Sequence, residues 1–363
     1  MREQNNTKLT ESIACVLYGQ ALGDAYGMPS ELLPYKKLQE LFGTIRTLLP
    51  GHPENPASHL FVRAQITDDT EMAFCLIKAI LKQGGAPDAE SFAHELLKWA
   101  DTNEVWDKNI LGPSSSAALK AFRDGMPVEE IDAPGLTNGC IMRISPMGCI
   151  LPVPDPNDKT ALEQYFERIY AVNSPTHKSE LALAASVFVT SFISAGIDGA
   201  SPKTAFQTAL RLARYAQEQT STVFTPSVAA RLSFIFPLLD LLDDEEAFTK
   251  HFSEFPADKL SRAALIVREL IGTTMAIQET LPAVVFAAFV TDFHPRGCAQ
   301  FCANLGGDTD TIGAIATALC GAFSSIDKFD HEELELLEHT NKLHVKETAV
   351  KLASIRKLYE QEK

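Results

Sequence analysis

Along this chain apolar residues recur at three- and four-residue spacing through 9–26, 71–82, 91–100, 115–122, 162–171, 179–195, 202–219 and 227–242. The pattern resumes at 258–273, 281–293, 297–304 and 309–323, before a charged amphipathic stretch from 332 to the end. Residues so spaced share one face of a helix. Strand-like alternation is scarce, so the pattern predicts an all-α fold. Small residues crowd two of these stretches: Gly19, Ala21, Gly23 and Ala25 in the first, and Gly313, Ala314, Ala316, Ala318 and Gly321 late in the chain. A glycine inside a helix costs about 0.5–1 kcal/mol relative to alanine, so the crowding implies backbones that must approach closely. Loops rich in Pro, Gly and Asn fall at 50–58, 107–113, 132–138 and 152–158, and none resembles a long tether. We expect one domain over 1–363, with 1–9 as a flexible extension and the loops gathered over a cleft.

Composition narrows the function classes. With 363 residues, 45% of them hydrophobic, the chain can bury a large core. A net charge of −15 and the lack of a dense Lys/Arg patch argue against a groove that neutralises a phosphate backbone, so nucleic acid is not an expected partner. The most apolar runs, 181–195 and 312–323, are too short or too bounded by charge to cross a bilayer, and no membrane association is expected. The opening MREQNNTKLTES shows no signal pattern, which points to a cytoplasmic protein. The seven cysteines (Cys15, Cys75, Cys140, Cys149, Cys298, Cys302, Cys320) form no CxxC pair and sit mostly in apolar stretches, as expected of reduced core thiols. His294, Cys298 and Cys302 share a helical face as zinc ligands do. Pro295 follows the histidine and a fourth ligand is missing, so core packing is the simpler account.

Two acidic clusters carry the candidate chemistry. Thr67-Asp68-Asp69-Thr70-Glu71 precedes the apolar run 72–77, and Gly306-Gly307-Asp308-Thr309-Asp310-Thr311 precedes 312–316. Each alone has the form of a helix start, where Thr or Asp caps free amides and carboxylates favour the positive end of the dipole. Together they crowd carboxylates at the starts of helices too apolar to lie on the surface, and such repulsion calls for compensation. A hard divalent cation supplies it, since Mg²⁺, Mn²⁺ and Ca²⁺ prefer carboxylate and hydroxyl oxygens, and four aspartates can hold two ions. A third segment, Gly23 to Glu31, ends a small-residue helix at a Gly/Pro turn, with Asp24 inside the helix and Glu31 just beyond. Asp24 reads equally as a ligand or as a buried group satisfied by neighbouring amides. Glu31, on a loop that can move over a cleft, suits a general acid or base, although a loop glutamate is commonly just solvated.

These motifs together resemble the ADP-ribosylglycohydrolase family, which includes the dinitrogenase reductase-activating glycohydrolases. The resemblance rests on GDAYGMPSE (23–31), TDDTEMA (67–73), LGPSS (111–115), NGCIMR (138–143), PTH (175–177) and LGGDTDTIGAIATALCGA (305–322), in that order over nearly the whole chain. It implies a compact orthogonal multi-helix bundle with a central binuclear metal cleft, and two divalent cations, Mg²⁺ or Mn²⁺, as cofactors. The implied ligands are Thr67, Asp68, Asp69, Asp308, Asp310 and Thr311, with Glu31 and Asp310 as the catalytic residues. Asp24, Gly112, Ser114, Asn138, Gly139, Met142, Arg143 and His177 are the implied substrate-contacting residues. Arg143 reads equally as a structural clamp and His177 as a helix cap. Cys140 and Ile141 stand where many relatives carry smaller residues, which suggests a narrower pocket with Cys140 in its wall; no paired base makes Cys140 a nucleophile.

The implied activity is hydrolysis of the bond between ADP-ribose and an acceptor, first ADP-ribosyl-arginine on a protein, by attack of water at the distal ribose anomeric carbon. Serine-linked and acetylated ADP-ribose are other acceptors the sequence leaves open. Three rival functions stand beside it: an immunity or regulatory protein that occludes a cognate ADP-ribosyltransferase, a catalytically dead structural relative, and a hydrolase of another glycosidic bond such as a nucleoside's. The expected partners are the ADP-ribosylated protein and that transferase, and the expected state is a monomer.

Overall fold

The computed structural model describes residues 2–108, 111–219 and 225–361. Residue 1 of the expected extension, residues 109–110 of the expected 107–113 loop, and residues 362–363 at the end of the last helical stretch lie outside them. Among the described residues the backbone forms helices and no strand, with two isolated antiparallel bridges, Leu33 to Gly307 and Thr137 to Ala276. The elements that build the site and its support are α1 (Arg2–Gly27), α2 (Asp68–Lys82), α3 (Pro113–Arg123), α4 (Glu180–Ile197), α5 (Ile277–Val290), α6 (Pro295–Ala303), α7 (Thr309–Gly321) and α8 (Val345–Gln361).

The glycines of α1 and α7 decide how these two helices meet. A methyl group at Gly19, Gly23 or Gly27 would sit 2.3, 2.0 or 2.3 Å from the carbonyl oxygens of Thr317, Gly313 and Thr309. Only the absence of Cβ lets the backbones touch, and close packing of this kind offsets the cost of glycine in a helix. The crossing brings the C-terminal end of α1, with Asp24, against the N-terminal end of α7, with Asp308 and Asp310. Thr309 strengthens the junction, its hydroxyl donating to Gly27 O at 2.9 Å.

α4 has the length and apolarity of a membrane span, yet all of it is buried inside the protein. It forms the floor of a hydrophobic core that also takes in α1, α5, α6 and α7. α8 is anchored to this floor by Arg356, which is 0% exposed and reaches Asp198 at 2.6 Å and Ser194 at 3.1 Å. All seven cysteines are free and buried, Cys298, Cys302 and Cys320 in the core shared by α6 and α7. His294 does not join them: its Nδ1 accepts from Gly297 N at 3.2 Å, capping α6.

Several boundaries differ from the periodic pattern for local reasons. α1 begins at Arg2, before the expected start at 9. The stretch 227–242 is two helices, Val228–Leu232 and Ile235–Leu241, because Pro237 has no N–H for the turn before it. The stretch 258–273 ends in a widened turn, Val267–Ile271, and stops at Gly272, whose φ of 97° suits glycine. The final stretch breaks after Asn341, where Lys342 turns left-handed at φ 54°. Asn341 itself donates to Ala64 O at 2.7 Å and accepts from Ile66 N at 3.1 Å, so the break pins the segment that leads into α2.

Candidate active site

The N-terminal ends of α2 and α7 meet at a cleft of about 500 Å³ lined by Glu31, Thr67, Asp68, Asp69, Asn138, Asp308, Asp310 and Thr311, among others. At α2, Thr67 is the N-cap and its hydroxyl lies 3.0 Å from Asp69 Oδ2. Thr311, in the first turn of α7, donates to that same Asp69 oxygen at 3.3 Å. Two segments more than two hundred residues apart therefore share a carboxylate oxygen. On the α7 side Asp308 is placed by its backbone, which donates to Thr273 O at 2.8 Å, and by Asn138 Nδ2, which donates to Asp308 Oδ2 at 2.5 Å. The preceding Gly306 and Gly307 take φ of 79° and 80°, and a Cβ on Gly307 would meet Thr273 Oγ1 at 2.3 Å, so glycine is needed to bring Asp308 here.

Asp24 lies beneath the cleft and does not line it. It is fully buried, and its two oxygens accept from Thr67 N at 3.0 and 3.1 Å and from Thr70 N at 3.1 Å. A carboxylate from α1 thus caps α2, which ties the first acidic segment to the second. Burial raises its pKa to about 7 against these same bonds.

The other carboxylates are shifted the same way. Withdrawal from water, then Asp68 and Asp308, raise Glu31 to about 8; withdrawal from water, then Asp24, Glu71 and Asp308, raise Asp68 to about 8. Burial raises Asp69, Asp308 and Asp310 as well, and for Asp310 the nearby charges of Glu31 and Asp69 add to it. Among the described residues no Lys, Arg or His forms a salt bridge with any of these six acids. Asp69 Oδ1 and Asp310 Oδ1 are buried and have no hydrogen-bond partner among the described residues. Buried polar atoms are nearly always satisfied, so two orphaned carboxylate oxygens in one acidic cleft fit an oxygen-seeking cation. The side chains as they stand do not close a finished cage: among the described residues no three His, Cys, Asp or Glu groups converge as a preformed metal site.

The opposite wall is built from 111–115 and 137–142. Gly112 is the N-cap of α3 and carries no capping side chain; Pro113 has no N–H, so the amides of Ser114 and Ser115 head this helix without a side-chain cap. Ser115 lines the cleft; Ser114 is half-buried beside it and accepts from the hydroxyl of the lining Thr137 at 3.4 Å. Gly139 and Met142 line the cleft beside Asn138. Cys140 and Ile141 do not: both are buried, with Cys140 Sγ 3.9 Å from Ala182 O on α4, so neither narrows the pocket.

His177 and Arg143 also lie behind the wall. His177 is 1% exposed, wedged under Gly135 and Gly139, where a Cβ on Gly139 would come within 2.9 Å of its ring. Its Nδ1 lies 2.7 Å from Thr176 Oγ1 and its Nε2 3.2 Å from Thr137 Oγ1, and burial, then Arg143, lowers its pKa to about 3. Arg143 reaches Thr176 Oγ1 at 2.6 Å and stacks 5.1 Å over Phe92, leaving Nε and Nη1 without partners. The pair supports the strip that carries Asn138. Lining residues not foreseen from sequence are Leu32, Pro56, Ala57, Phe61, Thr137 and Met275. The 50–58 stretch showed itself only as a Pro/Gly/Asn loop, and nothing in its composition placed it beside Glu31.

The family profile described as ADP-ribosylglycohydrolase matches residues 5–362. The chain is 39% identical over 347 residues to YegU of Escherichia coli (strain K12), covering 96% of this chain and 98% of YegU. It is 25% identical to the ADP-ribosyl-[dinitrogen reductase] glycohydrolase of Rhodospirillum rubrum (85% of this chain, 84% of that one). It is 23% identical to the ADP-ribosylarginine hydrolase Tri1 of Pseudomonas putida (strain GB-1) (90% and 75%). A solved structure titled "ADP-ribosylglycohydrolase-related protein complex" shares the fold at a TM-score of 0.63 and 22% identity, over 96% of this chain and 99% of that one. The chain belongs to the ADP-ribosylglycohydrolase family, whose members are glycosidic-bond hydrolases and in general depend on divalent metal ions.

Proposed function

We propose that this protein removes ADP-ribose from arginine on a protein, with two divalent cations, Mg²⁺ or Mn²⁺, held by Thr67, Asp68, Asp69, Asp308, Asp310 and Thr311. The observation that carries the proposal is the meeting of two acidic helix starts in one cleft, where, among the described residues, no Lys, Arg or His forms a salt bridge with Glu31, Asp68, Asp69, Asp308 or Asp310. Bound there, divalent cations would orient the distal ribose hydroxyls and lower the pKa of a water.

The remaining work falls to the chain's own residues. Asn138 fixes Asp308, which lines the cleft, by donating its amide to one carboxylate oxygen. The head of α3 offers the Ser114 and Ser115 amides and the positive end of its dipole to the diphosphate. Glu31 lines the cleft beside Asp68 and Asp308, where a carboxylate can exchange a proton with water and with the departing guanidine. Water adds to the anomeric carbon, the carbon–nitrogen bond breaks, and the guanidine leaves with a proton. An acidic cleft in a chain of net charge −15 also favours a cationic guanidinium acceptor over a neutral hydroxyl. The name of the Pseudomonas putida relative supports the same acceptor.

The test is ADP-ribose release from arginine-, serine- and acetyl-linked substrates, with EDTA and with added Mg²⁺ or Mn²⁺. Release from the arginine conjugate that EDTA abolishes and either metal restores is the expected result. Release unaffected by EDTA would remove the metal assignment, and preference for the serine conjugate would remove the acceptor assignment.

A further inference from the structure

Glu31 was expected on a movable loop, yet its backbone is held from three sides. Its own N–H lies 3.3 Å from Met28 O, the N–H of Leu32 donates to Gly307 O at 2.7 Å, and Asn55 Nδ2 donates to Glu31 O at 3.0 Å and to Pro29 O at 3.1 Å. Asn55 is 1% exposed, and its Oδ1 accepts from Ala57 N at 3.1 Å. Both ends of the amide are thus used, one to fold its own loop and the other to hold the Glu31 turn. The loop is itself tightly closed: a Cβ at Gly51 would lie 1.7 Å from Ser58 O. Leu32 has φ 57°, a left-handed backbone that a leucine adopts only when its surroundings enforce it. Around it, the Leu32 amide bond to Gly307, the paired bonds of Leu33 with Ser30 and Gly307, and the Asn55 bond to the Glu31 carbonyl hold the turn.

We infer that Asn55 is a positioning residue for Glu31, fixing the carboxylate relative to Asp308 and Asp310 by clamping its backbone to the 51–63 loop. The inference rests on the proposed proton-handling role of Glu31. Asn55 touches no reacting atom. Its effect travels through the Glu31 carbonyl, and displacement of a reacting group by about 1 Å can cost on the order of 10²-fold in rate.

The test is a double-mutant cycle on the full chain with Mg²⁺, following ADP-ribose release. Asn55→Ala is expected to lower kcat by roughly 10- to 100-fold with KM changed less than about threefold. Ser58→Ala, which loses only the 3.3 Å bond to Pro29 O, is expected to keep wild-type turnover. In a Glu31→Gln background Asn55→Ala is expected to cost nothing further, because the group it positions is already disabled. Hydrogen exchange at the Leu32 amide, which needs no substrate, is expected to quicken in Asn55→Ala and not in Ser58→Ala. If Asn55→Ala folds poorly, Asn55→Ser is measured against the same expectations. Wild-type kcat in the Asn55 variants, or an undiminished loss in the Glu31→Gln background, would overturn the inference alone. Wild-type turnover in Glu31→Gln would overturn the role of Glu31 and this inference with it.

Discussion

Asp308 has one carboxylate oxygen tied to Asn138 and a backbone N–H tied to Thr273, so its aim is set from two other segments. Asp310 lies two residues on, with a buried oxygen that has no hydrogen-bond partner among the described residues. Replacing either with asparagine keeps the shape, and the Asp308 side chain makes no capping bond to α7 that the change could remove. Asp308→Asn and Asp310→Asn are therefore expected to lower ADP-ribose release by at least about 10²-fold, with the helical circular dichroism unchanged. Full activity in both would contradict the metal-bearing role. Glu31→Ala is expected to reduce kcat far more than substrate affinity, and a loss confined to KM would make Glu31 a contact residue. At this scale the sequence was legible where a motif names both residue and neighbourhood, as for Asp69 and Thr311. It left Asp24, His177 and Arg143 open between substrate contact and a structural role, because which way a buried side chain faces is decided only once distant helices pack; Asp24 takes the structural alternative, satisfied by the Thr67 and Thr70 amides.

Helix α1 and helix α7 form the element on which the site depends. Gly23→Ala would drive a methyl group to within 2.0 Å of Gly313 O, and only separation of the helices relieves it. The expected cost is about 1–3 kcal/mol, measurable as a lower midpoint in urea unfolding, and activity should fall with it because Asp24 and Asp308 ride on the two partners. A midpoint unchanged from wild type would show that the crossing tolerates more space than its geometry allows. The opposite wall has its own fastening. Lys178 Nζ donates to the carbonyls of Val128, Glu129 and Ile131 at 2.8, 3.0 and 2.6 Å, closing the strip that leads to Thr137 and Asn138. Lys178→Met is expected to raise KM several-fold and to quicken proteolysis within 125–137, with α1 and α7 unaffected. The glycines of α1 and α7 foretold that each helix packs closely against another backbone, but not that the two are each other's partner. The pattern could not foretell that an ammonium group would fasten a loop, because three carbonyls leave no trace in the sequence.

For the whole molecule, the acidic cleft makes stability depend on pH and on metal. Asp24 near pH 7, and Glu31 and Asp68 near pH 8, keep in the folded chain a proton that the unfolded chain releases at about pH 4. Their contribution is complete below that value and is lost as pH rises to about 8. His177 acts in the opposite sense: its pKa near 3 means that stability is lost as pH falls from about 6.5 toward 3, and it adds nothing above that range. Between pH 6.5 and 8 the carboxylates act alone. The Tm of the EDTA-treated protein should fall over this interval by at least roughly 2–4 °C, the shift that about 1 kcal/mol produces in a large domain. Saturating Mg²⁺ should reverse the fall; a Tm that is flat in pH and indifferent to Mg²⁺ would be evidence against a charged, cation-accepting cleft.

The most direct measurement is equilibrium dialysis of the EDTA-stripped protein against Mn²⁺, for the wild type and for Asp308→Asn. The account predicts saturation at about two ions per chain in the wild type, as the paired-ion arrangement requires, and weaker or substoichiometric binding in the variant. Wild-type protein that binds no Mn²⁺ saturably, or a variant that binds it as the wild type does, would contradict it.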